Sequence, residues 1–346
     1  MDPTKVVRRP TLADVAAVAG VSRATASRAL TEGASVSPAA RARVWAAAEQ
    51  LRFEPNQLAR SLRRGSTMGV GIAVPDVAIA FFATALKGAQ ETLEARGHHV
   101  LVVNTERSAV RERLALRTLR SHRVDGLIVA TSGGYEDIGV PAVFFDNVPS
   151  GVSAGAVALE NAGGIALLVE HLARHHGLRR IAYVGPPEAA GEEYRHTTAR
   201  ERLEGFRAAM GRTGLAVPPD YVRASDIDST PASAAAIAVE LARLPEPPEA
   251  IIGGADTLAV GVLQGLRSVG LRVPDDIALV SFDEPSHAEV LDPAVTSLDR
   301  HDRELGNRAA ELLLDALHDA GGRPAEAAVE RVPLKLCVRR SCGCRA

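Results

Sequence analysis

PTLADVAAVAGVSRATASRAL, residues 10–30, consists of two helix-forming runs separated by Ala19-Gly20-Val21-Ser22. Alanine-rich sequence of this kind continues as one helix unless something stops it. Gly20 supplies a backbone conformation that other residues resist, Val21 plugs the angle between the helices, and Ser22 caps the second one. The spacing predicts helices over 11–18 and 22–30 joined by a tight turn, with a third over 37–51 opened by Ser37 and Pro38. A helix-turn-helix aims its second helix into the DNA major groove, and a generic helical hairpin is the alternative. In the first case the side chains that face base edges and phosphates are Ser22, Arg23, Ala24, Thr25, Ser27 and Arg28. Arginine donates two bonds to guanine, alanine and the threonine methyl meet thymine methyls, and hydroxyls suit phosphates.

Charge supports a polyanionic partner for this end of the chain. Residues 1–65 hold eleven Lys and Arg against five acids, a net +6, which leaves −8 for the rest of a chain whose total is −2. Only the small basic module has the field to attract DNA, and Arg60, Arg63 and Arg64 cluster at its end.

With 346 residues, 46% of them apolar, the chain is too long for one core, so several domains are expected. From residue 68 short apolar runs alternate with longer amphipathic stretches. Strands are expected over 70–74, 100–103, 126–130, 143–145, 157–159, 181–184, 251–253 and 277–282. A further strand-like run covers 332–338. Helices are expected over 83–95, 111–120, 162–175, 199–213, 232–244 and 257–269. The alternation predicts βαβ units in two parallel-sheet lobes with a cleft between them. No apolar run is long enough to span a bilayer and the first residues lack an export signal, so a cytoplasmic protein without a membrane partner is expected.

Residues 10–30 closely resemble the DNA-binding headpiece of the LacI/GalR family of bacterial transcription regulators, with Thr11, Leu12, Asp14, Val15, Ala16, Ala19, Gly20, Val21, Ser22, Thr25, Ser27 and Arg28 on the family pattern. Ala26 departs from it, since valine is usual there, and its loss of two methyl groups falls on an expected core position. The resemblance continues through FEPNQLARSLRRG (53–65). It implies that 57–64 is a hinge helix ordering on operator DNA, with Asn56, Ala59, Arg60 and Arg63 at the DNA and Leu62 wedged into the minor groove. An isolated helix of about eight residues is marginal in water, and apolar wedges kink DNA, so the physics agrees.

RVDGLIVA (123–130), FDN (145–147), RERLEGF (200–206), GADTLAVG (254–261) and SFDE (281–284) resemble the family's two-lobed periplasmic-binding-protein-like domain. The implied architecture is an all-α helix-turn-helix headpiece (1–56), a hinge and linker (57–66), and an α/β effector-binding body (67–346). The N-lobe is expected at about 67–165 and 294–324, the C-lobe at about 166–293 and 325–346. Arg202 and Asp256 are the implied effector contacts, an arginine and a carboxylate facing across the cleft from opposite lobes. Phe82, Asp146, Thr198 and Asp283 are further contacts, with core packing for Phe82 and helix capping for the two aspartates as alternatives. Ile79-Ala80 and Ala255 depart from the family pattern around this pocket, so the effector is expected to be sugar-like only by family default. The implied function is that of a repressor that binds a palindromic operator as a homodimer under the control of this effector.

An exported sugar-binding protein would carry an export signal and no basic headpiece. An enzyme is not expected, because no complete dinucleotide, P-loop, nucleophile-elbow or zincin motif occurs. Cys337, Cys342 and Cys344 have no disulfide-framework spacing. Cys342-Gly343-Cys344 suits a metal or redox chemistry, but no cysteine or histidine cluster lies near in sequence to complete a tetrahedral site. His175-His176 and His301-Asp302 are read as solvated surface, and no metal or cofactor is expected.

Overall fold

The computed structural model describes residues 10–30, 35–53, 66–149, 154–187, 197–226, 229–318 and 329–345. The chain divides into two compact units, Met1–Thr67 and Met68–Ala346.

In the first unit, α1 (Leu12–Ala19), α2 (Arg23–Ala29) and α3 (Pro38–Gln50) pack around Val15, Ala16, Ala19, Ala26, Ala29, Leu30, Val44, Ala47 and Ala48. The small residues let three short helices approach closely. Each start is satisfied by a hydroxyl. Thr11 and Asp14 form a reciprocal capping box, Ser22 Oγ accepts from Thr25 N at 3.1 Å, and Ser37 Oγ accepts from Ala40 N at 3.3 Å. Ala26 is wholly buried, as the sequence placed it.

The second unit holds two parallel sheets, each covered on both faces. The first is ordered β11-β5-β4-β3-β1-β2 and contains β1 (Gly69–Val74), β2 (His99–Asn104), β3 (Gly126–Val129), β4 (Ala142–Phe145), β5 (Gly155–Leu159) and β11 (Val329–Val332). Helices α4 (Ala80–Glu94) and α10 (Asp302–His318) cover one face around Phe81, Leu93, Leu305 and Leu313. Helix α5 (Ala109–Ser121) covers the other around Leu116 and Leu119. The second sheet is ordered β7-β6-β8-β9, from β6 (Ile181–Gly185), β7 (Val222–Ala224), β8 (Ala250–Gly253) and β9 (Ala278–Ser281). It lies between α6 (Asn161–Glu170) with α7 (Thr197–Arg212) and α8 (Pro231–Ala242) with α9 (Asp256–Ser268). A small antiparallel ladder of β10 (Ser297–Asp299) and β12 (Lys335–Cys337) completes the unit. The chain therefore passes between lobes three times, after β5, between β9 and α10, and between β11 and β12.

Three sequence expectations change. The run 332–338 is two strands on different ladders, because Pro333 has no N–H to donate and breaks the pairing. Its first part, β11, pairs with β5, so 329–332 belongs to the first sheet and not to the C-lobe where 325–346 had been placed. The helix expected over 162–175 is α-helical only to Glu170 and closes with a π turn, His171–His175. The three-residue strands β7 and β10 carry too short an alternation to be read from sequence.

Candidate functional site

Two sites follow from this architecture, one on each unit. In the first unit, Gly20 has φ +62 and Val21 N donates to Ala16 O at 3.0 Å, which closes α1 and turns the chain into Ser22. No heavy atom lies within 4 Å of where a Cβ at Gly20 would stand, so backbone conformation alone selects glycine. The turn leaves Thr11, Ser22, Arg23, Ala24 and Arg28 exposed, while Thr25 and Ser27 are half-buried against the core. Ser22 Oγ and Thr25 Oγ1 lie 2.9 Å apart, which holds the first turn of α2 in place. Asn56, Ala59, Arg60, Leu62 and Arg63 lie outside the described residues.

In the second unit the site collects at the carboxyl ends of the strands, where ligands of doubly wound sheets bind. Asp146 follows β4, Asp256 follows β8, Asp283 follows β9, and Phe81 and Phe82 open α4 after β1. Arg202 is buried on α7. Its Nε donates to Asn161 Oδ1 at 3.0 Å and its Nη1 to Gly254 O at 2.7 Å; Nη1 also lies 3.3 Å from Asp283 Oδ1. Its guanidinium stacks 3.8 Å over the Phe282 ring. Nη2 takes no partner among the described residues.

The partner of Arg202 is thus Asp283 and not Asp256, and all three stand on the second lobe. The arginine and carboxylate expected from opposite lobes are on one, because α7 and α9 both flank the four-stranded sheet. The interlobe partner is one the sequence reasoning missed. Arg300, just before α10, reaches Asp283 Oδ1 at 2.7 Å and Asp302 Oδ2 at 3.0 Å while lying 4.5 Å over the Phe81 ring. Its signal was the run Asp299-Arg300-His301-Asp302, an arginine bracketed by carboxylates.

These charges set one another's ionisation. Burial pushes Asp146 up to about 6; Arg202 and Arg300 oppose the rise, and Asp283 and Asp302 add to it. Asp256 is raised by burial and by Asp283. Asp283 is equally enclosed, but the two guanidiniums outweigh burial and hold it below the ordinary carboxylate range. The result is one committed anion between two cations, with two nearby carboxyls, Asp146 and Asp256, held above their ordinary pKa.

Asp256 Oδ1 accepts from Thr257 N at 2.7 Å. Together with Ala80, Thr84, Arg300 and Asp302 it lines a cavity of about 590 Å³, a volume that suits a small metabolite. Phe82 is buried, edge-on to Phe81 and Phe145, and Thr198 is buried at the start of α7. Two further contacts join the lobes. Asn147 Nδ2 donates to Thr131 O at 2.9 Å while its Oδ1 accepts from Thr197 N at 3.0 Å. Arg331 on β11 grips Glu201 on α7.

Residues 11–56 match the family described as "Bacterial regulatory proteins, lacI family", and residues 169–342 that described as "Periplasmic binding protein-like domain". The ribose operon repressor of Escherichia coli (strain K12) is 31% identical over 312 residues, which cover 88% of this chain and 92% of that protein. The chain belongs to the lacI family of bacterial regulatory proteins. It is a DNA-binding transcriptional regulator with a helix-turn-helix headpiece and a two-lobed body, and not an enzyme. The HTH-type transcriptional repressor PurR of Photobacterium profundum is 29% identical over 317 residues, 89% of this LacI-family chain and 92% of the relative. The structure of the lac repressor dimer bound to operator and the anti-inducer ONPF is 26% identical, covers 97% of this chain and 99% of its own, and superposes with a TM-score of 0.84. Among the described residues no helix is long and apolar enough to cross a membrane.

Proposed function

We propose that the protein is a cytoplasmic repressor that binds a two-fold symmetric operator as a homodimer, and that a sugar or related polyol in the interlobe cleft sets its DNA affinity. The reading rests on the elbow at Gly20, which presents Ser22, Arg23 and Ala24 to solvent on the first turn of α2. Thr11, Thr25, Ser27 and Arg28 serve phosphates and base edges beside them. Asn56, Ala59, Arg60, Leu62 and Arg63 form the hinge contacts, with Leu62 as the minor-groove wedge. The lac repressor dimer on its operator supports the two-fold arrangement.

In the cleft, Phe82, Asp146, Thr198, Arg202, Asp256 and Asp283 bind the effector. Neighbouring carboxyls accept from polyol hydroxyls, guanidinium N–H groups donate to their oxygens, and the phenylalanine rings cover the apolar face of the ring. The likeness to the ribose operon repressor favours a sugar. An effector changes DNA binding only by preferring one lobe arrangement, so contacts that span the lobes carry the signal.

The test is a thermal-shift screen of pentoses, hexoses, nucleosides and their phosphates, followed by operator binding with and without the hit. Arg23→Ala is expected to weaken specific operator binding about 10- to 100-fold. Arg202→Ala and Asp256→Ala are expected to abolish the hit's thermal shift. Unchanged operator affinity in the first variant, or an unchanged shift in both of the others, overturns the corresponding assignment.

A further inference from the structure

Helix α6 starts at Asn161 in the cleft and ends at Glu170, where the π turn His171–His175 takes over. In an α-helix, residues five apart point in different directions. A turn with i to i+5 spacing brings them to one side, and His171 and His176 are five apart. Their Nε2 atoms lie 3.3 Å from each other. His176, expected on the solvated surface, is instead half-buried in a cluster of side chains.

Two thiols complete the cluster from residues 342–344. Ser341 is locked beside β9 and β10, with Ser341 Oγ donating to Leu279 O at 2.6 Å and Thr296 N donating to Ser341 Oγ at 2.8 Å. This fixes where the buried Cys342 points. Gly343 has φ +103, a left-handed conformation that allows two cysteines separated by one residue to turn toward the same imidazoles. Cys342 Sγ is 3.3 Å from His171 Nε2, and Cys344 Sγ is 3.4 Å from His176 Nε2 and 3.9 Å from His171 Nε2. All four donor atoms lie within 4.8 Å of one another, and the three cysteines are free. Zinc bonds of about 2.3 Å to sulfur and about 2.0–2.1 Å to nitrogen, disposed tetrahedrally, separate the donor atoms by about 3.3–3.8 Å. Four of the six spacings, from 3.3 to 3.9 Å, fall close to those edges.

We propose that His171, His176, Cys342 and Cys344 form a four-coordinate zinc site that fastens residues 342–344 to the end of α6. Two thiolates and two imidazoles are soft ligands that favour zinc over magnesium or calcium. With four protein ligands there is no open coordination position, so the ion is structural and its binding energy adds to folding energy. The surroundings support the first sulfur. Thr296 Oγ1 accepts from Arg339 N at 2.8 Å, so its own proton is directed to Cys342 Sγ at 3.2 Å, a donor suited to a thiolate. Metal binding replaces the weak bond that the Cys342 thiol gives Arg339 O at 3.3 Å, and the thiol protons pass to solvent. A recess whose lining includes His176, Asp276, Asp292, Arg340, Cys342 and Cys344 opens beside the cluster. The site lies at the opposite end of α6 from Asn161 and does not depend on the effector reading.

The full chain, purified without chelator and dialysed against metal-free buffer, is analysed for zinc per chain. Its thiols are counted under denaturing conditions, and it is then reloaded with cobalt. The expected results are one equivalent of zinc and three titratable thiols. After exchange, cobalt is expected to show intense visible bands of tetrahedral geometry together with thiolate charge-transfer absorption. Cys344→Ser and His176→Gln are expected to weaken zinc binding at least about 10-fold. Cys337→Ser, outside the cluster, keeps it. Chelation lowers Tm in the unaltered chain and leaves Tm of Cys344→Ser unchanged. Cys342 is in the core, so Cys344→Ser with a far-ultraviolet circular dichroism check carries the test if Cys342→Ser fails to fold. A chain that binds neither zinc nor tetrahedral cobalt, a Cys342–Cys344 disulfide in place of two thiols, or full zinc retention by Cys344→Ser overturns the proposal.

Discussion

Arg331 on the edge strand of the first lobe and Glu201 on α7 of the second form a two-pronged ion pair, with Nη2 to Oε1 at 2.8 Å and Nη1 to Oε2 at 3.0 Å. Asn161 Nδ2 adds a third bond to the same carboxylate at 2.8 Å, and Asn161 Oδ1 accepts from Arg202 Nε. A single chain of side chains thus runs from the outer edge of one sheet to the arginine at the centre of the cleft. Burial disfavours the Glu201 carboxylate, but the bonds from Arg331 and Asn161 outweigh it and hold its pKa below the ordinary value.

Arg331→Met is expected to destabilise the body by about 0.5–1 kcal/mol, the scale of a half-exposed pair with good geometry. The loss is expected to vanish in a Glu201→Gln background, which a double-mutant cycle on urea unfolding measures. Because the Glu201 pKa is depressed, the pair's contribution is complete above the unfolded carboxyl value and disappears as pH falls through the folded one. The difference between the variant and the parent should therefore fade in acid.

Arg300→Met is expected to cost more, about 3 kcal/mol or above, since it leaves Asp283 with one cation and Asp302 with none of its ion partners. Without Arg300 the carboxyls bind protons more readily in the folded state. The variant should therefore recover part of its lost stability as pH falls from neutral, as judged by urea midpoints. A cost as small as that of Arg331→Met would show that Arg300 is solvated.

Asp146 should titrate near 6, followed by the carboxyl stretching bands in an infrared difference spectrum against Asp146→Asn. The sign is that of a raised acid. Ionising Asp146 is harder in the folded chain, so relative to Asp146→Asn the parent loses stability as pH rises from the unfolded value toward 6, and the difference is constant above that. The charged groups that face it are Arg202, Arg300, Asp283 and Asp302, and Arg202→Ala should raise the midpoint further.

Gly20→Ala is expected to destabilise the headpiece by about 1 kcal/mol, because a Cβ has space there but not at φ +62. Thr11→Ala removes the reciprocal cap with Asp14 and should cost about 1 kcal/mol as well. Amide exchange of α1 and α2 in the full chain reads both. Equal protection in Gly20→Ala and the parent would rule out the strained turn.

The headpiece was legible residue by residue because its determinants are local. Thr11, Gly20, Ser22 and Ser37 act on backbone groups within four positions of themselves. The main strands of both sheets were legible for a related reason, since fully buried parallel strands are continuous apolar runs such as 69–74 and 181–185. The cleft was legible only as a set of candidates. Arg202, Asp256 and Asp283 were each identified, but which carboxylate the arginine holds depends on the packing of α7 against the strand ends.

By itself, then, the amino-acid sequence determined the helix-turn-helix, the two-lobed α/β architecture and membership of the lacI family, all of which rest on short-range patterns. Tertiary structure alone decided three things: that Arg202 pairs with Asp283, that Arg300 and Arg331 bind the lobes together, and that His171 and His176 meet Cys342 and Cys344 across more than 160 positions of chain. Each of these is a contact between elements brought together by burial of their apolar faces, and no local spacing encodes which polar groups that burial leaves face to face.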